Sequence, residues 1–172
     1  PRSGRTLGSL IEYGFTGAQS LHALNAIRRG HRDGVPLWLD RGRQVLDFFV
    51  REFQKPNGFS EGIYDPLHKR FVTWFTGILL PFQYADDDAA LKSYLGSQIT
   101  RALRAVADVL RKVPGNYTRT MCESVYPLLR AYEEERSHGV EHADWLAAGE
   151  AFGSFLLMTQ GDDGSWARGY SP

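Results

Sequence analysis

Apolar residues recur at helical spacing along most of the chain. Leu21, Leu24 and Ile27 mark a first amphipathic helix, with Thr16 and Gly17 as its expected N-cap region, and "RRGHRDGVP" ends it. A second helix is predicted over 37–53, where Leu39, Val45, Leu46, Phe49, Val50 and Phe53 share one side before "QKPNG" stops the pattern. A third is expected to start near Thr76 and a fourth to cover 89–113. A fifth starts at Thr120, where the Thr-x-x-Glu spacing to Glu123 reads as a capping box, and a sixth covers 141–159. These pair into three antiparallel hairpins, 16–53, 76–113 and 120–159. Strand-type alternation is nearly absent, with only "RFVTWF" at 70–75 reading as a short extended piece. The expected fold class is all-α.

Self-similarity supports the pairing. Shifting the chain by 106 residues lays "QKPNGFSEGIYDP", 54–66, on "QGDDGSWARGYSP", 160–172, with Gln, Gly, Tyr and Pro in common. With a one-residue slip, "ALNAI" at 23–27 falls on "LLRAY" at 128–132, and "FTG" occurs at both 15–17 and 75–77. Alternate connections of antiparallel helices lie at the same end of a stack. The links at 30–36, 85–89 and 136–141 are short, whereas those at 54–75, 113–120 and 160–172 are mostly longer and carry Tyr64, Trp74, Tyr117, Trp166 and Tyr170. The second, decorated end is where binding residues are expected, because loops on a rigid scaffold are where such residues gather.

Composition narrows the classes. A chain of 172 residues that is 42% hydrophobic can bury a substantial core as one domain. Twenty basic residues balance twenty acidic ones, which leaves no electrostatic footprint for nucleic acid or an anionic membrane. The apolar runs fall short of the roughly 20 residues that a membrane helix needs. The single Cys122 permits no internal disulfide and reads as a small apolar side chain. Pro1 in place of an initiator Met is read as the mark of a processed or excised piece.

The hairpin pattern, with an outer helix ending in "FLLMTQGDDGSW", resembles the alpha/alpha toroids, above all the six-hairpin glycosidase superfamily. The terpene cyclase and prenyltransferase toroids come next. The resemblance spans nearly the whole chain and rests on Gln160-x-x-x-Gly164-x-Trp166. It implies that three hairpins are half of a six-hairpin ring, the remainder lying in another part of a longer polypeptide, in a partner chain, or nowhere. Open edges of a half-ring drive association, so a fragment or a homo-oligomer is expected.

Glycoside cleavage generally uses two carboxylates facing the scissile bond. The decorated end offers Glu61, Asp65, Asp162 and Asp163, so the expectation is that Glu61 or Asp65 pairs with Asp162 or Asp163 as acid and base. Tyr64, Trp74, Trp166 and Tyr170 are candidate platforms for sugar rings. Each has a structural alternative: Asp162-Asp163-Gly164 as a solvated turn, Trp166 as a cover for the end of its own helix. Trp38 and Trp145, near the starts of equivalent helices, are expected in the core, and "EEER" at 133–136 as a solvated helix face. Histidines 22, 31, 68, 138 and 142 form no ligand cluster, so neither a metal nor another cofactor is expected. "ADDD" at 85–88 lacks the Asp-x-Asp-Asp order of a terpene cyclase and reads as a turn or cap. The leading expectation is a carbohydrate-active protein that takes an oligosaccharide or polysaccharide. The alternatives are a non-catalytic helical repeat module for binding or assembly and, third, a terpene cyclase-like toroid.

Overall fold

Small and apolar side chains three and four residues apart build the first hairpin. In α1 (Gln19–Asp33), Ser20, Ala23, Leu24, Ile27 and Gly30 make one buried face. The helix closes at Gly34, whose φ of 64° lets its N–H reach back to the carbonyl of Gly30. Pro36 then opens α2 (Pro36–Phe48) at a position where its missing N–H leaves no bond unmade. The run continues as a π-helical turn, Phe49–Phe53, which accommodates one extra residue. The structure, a computed structural model, describes residues 10–14, 18–66, 69–72, 89, 92–93, 96–102, 105 and 115–172.

The second hairpin consists of α3 (Thr118–Ser137) and α4 (Ala143–Thr159). Each hairpin is closed at one end by short antiparallel strands. β1 (Ile11–Glu12) pairs with β2 (Ile63–Asp65), which also takes β3 (Arg70–Val72), and β4 (Asn116–Tyr117) pairs with β5 (Gly169–Tyr170). α1 packs against both α2 and α3, so the two hairpins lie side by side. Their shared core holds Tyr13, Phe49, Phe53, Met121, Leu128, Trp145, Phe152 and Phe155. The described residues are mostly helical with these two small sheets. Of the hairpin expected at 76–113, only part is described, and 96–102 are helical.

The hairpins are copies of one another. The N–H of Val35 bonds the carbonyl of Gly30, as that of Val140 bonds Glu135, both at 3.0 Å and beside the positive-φ glycines Gly34 and Gly139, an offset of 105. Trp38 corresponds to Trp145, each donating its N–H at 3.1 Å to the carbonyl three residues earlier, an offset of 107. After the π-helical turn the offset is 106: Gln54 Nε2 donates to the carbonyl of Gly58 at 2.9 Å, and Gln160 Nε2 to that of Gly164 at 2.8 Å. Asn57 Oδ1 accepts from the N–H of Phe59 at 3.1 Å, as Asp163 Oδ1 does from Ser165 at 2.9 Å. The slip in the sequence repeat is therefore a longer link at 138–142 followed by one extra residue in the π-helical turn.

Several expectations are corrected. α3 starts at Thr118, not Thr120, without a side-chain cap; Thr120 is buried inside the helix, and Glu123 pairs with Arg119 at 2.6 Å rather than closing a capping box. β3 falls within the "RFVTWF" stretch expected to be extended; the other strands were not expected, because two- and three-residue strands are too short to show alternation. Trp145 is buried, but Trp38 is 44% exposed, with the Arg29 guanidinium 5.4 Å above its ring. The reason is positional: Trp145 packs on the neighbouring hairpin, and Trp38 faces away from it. The N-cap expected at Thr16 and Gly17, the third helix start near Thr76 and the "ADDD" turn at 85–88 lie outside the described residues.

Candidate functional site

The strand-closed end carries the loops expected to hold function. In the first copy, the chain leaves the π-helical turn at Gln54, reverses through 55–58 and returns along a bridge between Gln54 and Ser60. The side chain of Asn116, from the second copy, reaches across and donates to the carbonyl of Ser60 at 2.8 Å, tying the two loops together. Glu61 follows directly. Its side chain is only 13% exposed, and Lys55 Nζ lies 3.6 Å from Oε1. Burial pushes the Glu61 carboxyl above its ordinary value, against the weaker pull of the Lys55 charge and hydrogen bond. Lys55 also sits 4.7 Å over the ring of Phe71. Gln54 Oε1 and Ser60 Oγ, on the facing residues of the bridge, are buried with no hydrogen-bond partner among the described residues.

The remaining candidates divide between exposure and structural work. Asp65 is buried in β2. Asp162 is exposed at the tip of the second loop. Asp163 accepts from both the N–H and the hydroxyl of Ser165, at 2.9 and 2.7 Å, which holds its carboxyl below the ordinary value and folds the turn. Tyr64 packs among Phe48, Phe53 and Phe71, with ring centroids 5.2–6.2 Å away. Trp166 is 45% exposed, yet its Nε1 donates to the carbonyl of Leu156 at 2.8 Å, and Tyr170 donates to that of Thr159 at 3.2 Å. Both thereby satisfy carbonyls that the last turn of α4 would otherwise leave open. Trp74 lies outside the described residues.

A second polar constellation sits at the opposite end, where the links are short. Glu135, expected on a solvated face, is fully buried. Arg43 donates to its Oε2 from Nε at 3.0 Å and from Nη2 at 2.7 Å; His31 Nε2 lies 2.9 Å from Oε1 and His142 Nε2 3.2 Å from Oε2. An ionised carboxylate only accepts, so each ring carries a proton on Nε2. His31 stacks on His138 at 3.7 Å and His142 on Trp145 at 3.9 Å. Trp145 Nε1 then donates to Asp47 Oδ1 at 2.8 Å. Burial alone would raise the Glu135 carboxyl, but bonds from Arg43, His31 and His142, with the Arg43 charge, bring it below its ordinary value.

Sequence reading missed this cluster because its members come from four helices and links. The one available signal was the offset of 105, which sets Glu135 against Gly30 and so marks it as a core position. Among the described residues, no group of three or more His, Cys, Asp or Glu has the arrangement to hold a metal ion. The cluster is a fully bonded clamp between hairpins, whereas Glu61 is a carboxyl whose charge is disfavoured at a loop-rich end. Compared with protein families, curated proteins and solved structures, the chain matches none.

Proposed function

We propose that the chain is a carbohydrate-active part of an alpha/alpha toroid that binds and cleaves an oligosaccharide or polysaccharide at its strand-closed end. One observation carries the reading: Glu61, on a loop, is largely buried and its carboxyl is pushed toward the protonated form. A general acid for glycosidic oxygen needs that state, since it must hold its proton near neutral pH and release it as the leaving group departs. Asp162, exposed on the equivalent loop of the second copy, is the opposing carboxylate in this scheme, acting on the water or on the anomeric carbon. Asp163 is given to its turn and Asp65 to its strand. The duplicated hairpin, strand-closed at one end, supports the toroid.

The test is release of reducing ends from a panel of soluble polysaccharides by wild type and Glu61→Gln. The substitution is expected to lower the rate roughly 10²–10⁴-fold while leaving glycan binding within a few-fold. Thermal stability should move little, because the amide removes a buried charge along with its contact to Lys55. Equal rates for the two proteins would remove Glu61 from the chemistry. A specific observation favours the second reading, a helical repeat module without catalysis: Trp166 and Tyr170 are engaged at the end of α4. Binding without cleavage by wild type would decide for it.

A further inference from the structure

The duplication shows what a tryptophan at this place in a hairpin packs against. Trp145, 1% exposed, sits over α2 of the neighbouring hairpin, where Asp47 accepts its N–H and Arg43 holds Glu135. Its twin Trp38 is 44% exposed. At 100° per residue, Trp38, Arg41 and Val45 lie on the side of α2 opposite Arg43 and Asp47. There they line an open groove of about 320 Å³ between α1 and α2, together with Ala23, Ala26 and Leu37. Among the described residues, the first hairpin therefore has one face filled by the second hairpin and an opposite face that none of them covers.

The complementary face, likewise uncovered among the described residues, is on the second hairpin. With the offset of 107, the residues of α4 that match Arg43 and Asp47 are Glu150 and Ser154, both exposed. The same side continues one turn on into Leu157 and Met158, 75% and 71% exposed. Glu150 or Ser154 supplies an acceptor for a tryptophan N–H, and Leu157 and Met158 supply apolar cover. The charges match as well, since Arg41 lines the groove beside Trp38 and Glu150 stands on the facing surface.

We propose that the Trp38 groove of one chain receives the Glu150, Ser154, Leu157 and Met158 face of α4 from a second copy, repeating between chains the hairpin contact that α2 and Trp145 make within one. The contact is head to tail, so it propagates into a ring or an open stack rather than stopping at a symmetric pair. It stands independently of any reaction at Glu61.

Light scattering on the full chain and two variants tests it. Wild type is expected to gain mass with concentration beyond a dimer or to close as a ring. Trp38→Glu and Leu157→Glu each destroy one face at an exposed position, so each alone should be monomeric with unchanged helical circular dichroism. Mixed one to one, they retain one intact pair of faces between them and should form a dimer and nothing larger. A monomeric wild type would overturn the proposal and give the groove to another occupant. So would an effect confined to Trp38→Glu, which would mean that the groove pairs with itself, or a mixture that stays monomeric.

Discussion

Replacing Glu135 with alanine is expected to cost about 3–5 kcal/mol of folding stability, read from the urea midpoint at neutral pH. The carboxylate is fully buried and joins α3 to α1, α2 and the start of α4 through His31, Arg43 and His142. Its removal strips the Arg43 guanidinium, itself only 27% exposed, of both bonds to Oε2 and leaves two ring N–H groups without an acceptor. Glu135→Gln should cost less, since the amide oxygen still accepts one of these bonds. The effect also has a pH signature. A carboxyl held below its ordinary value of 4.5 in the folded chain binds protons less readily than in the unfolded chain. Its contribution is complete above that value and is lost as pH falls through the lower folded value. The stability gap between wild type and Glu135→Gln should therefore be constant near neutrality and narrow only below about pH 4.5. A gap under about 1 kcal/mol at neutral pH would mean that the clamp contributes no more than an exposed ion pair.

The same residue shows where sequence reading stops. Helical periodicity located the four long helices of the two described hairpins, because each buries a stripe whose spacing is set by the helix itself. The loop repeat was legible for a similar reason: Gln54 and Gln160, Asn57 and Asp163, and Gly58 and Gly164 each bond or turn within four residues. Burial of Glu135 depends on partners 92 and 104 residues away, and no local pattern reports that. "EEER" looks the same whether or not a neighbouring hairpin covers it. Trp38 and Trp145 make the converse point, since equivalent places in the two hairpins gave one exposed and one buried ring. At the candidate site, the aromatic loops were found, but the split between Glu61, set beside Lys55, and Asp163, spent on a turn, required the geometry.

Alanine at Gly58 and alanine at Gly164 are expected to differ sharply although the two glycines are twins. Both have positive φ, 86° and 82°, so either substitution carries the left-handed strain of about 1–2 kcal/mol. At Gly164 that is all, because a Cβ would meet nothing closer than Gln160 Nε2 at 3.9 Å. At Gly58 a Cβ would overlap the carbonyl oxygen of Ala151 and come within 2.6 Å of its carbonyl carbon and 2.8 Å of Phe155 Cβ. These atoms belong to α4, whose backbone cannot yield as a flexible side chain would. Overpacking of this kind adds about 1–3 kcal/mol, so Gly58→Ala should lose about 2–5 kcal/mol in total against about 1–2 for Gly164→Ala. Urea midpoints of the two variants measure the difference directly, and equal losses would mean that the first loop does not seat against α4 as closely as the structure places it. In the proposed reaction the asymmetry has a functional counterpart. The first loop is wedged onto the neighbouring hairpin and carries Glu61 three residues later, while the second stands free and leaves Asp162 in solvent. One carboxyl on a fixed loop with its charge disfavoured, and one on an open loop with none of that burial, is the division of environment that separates an acid from a base on the same scaffold.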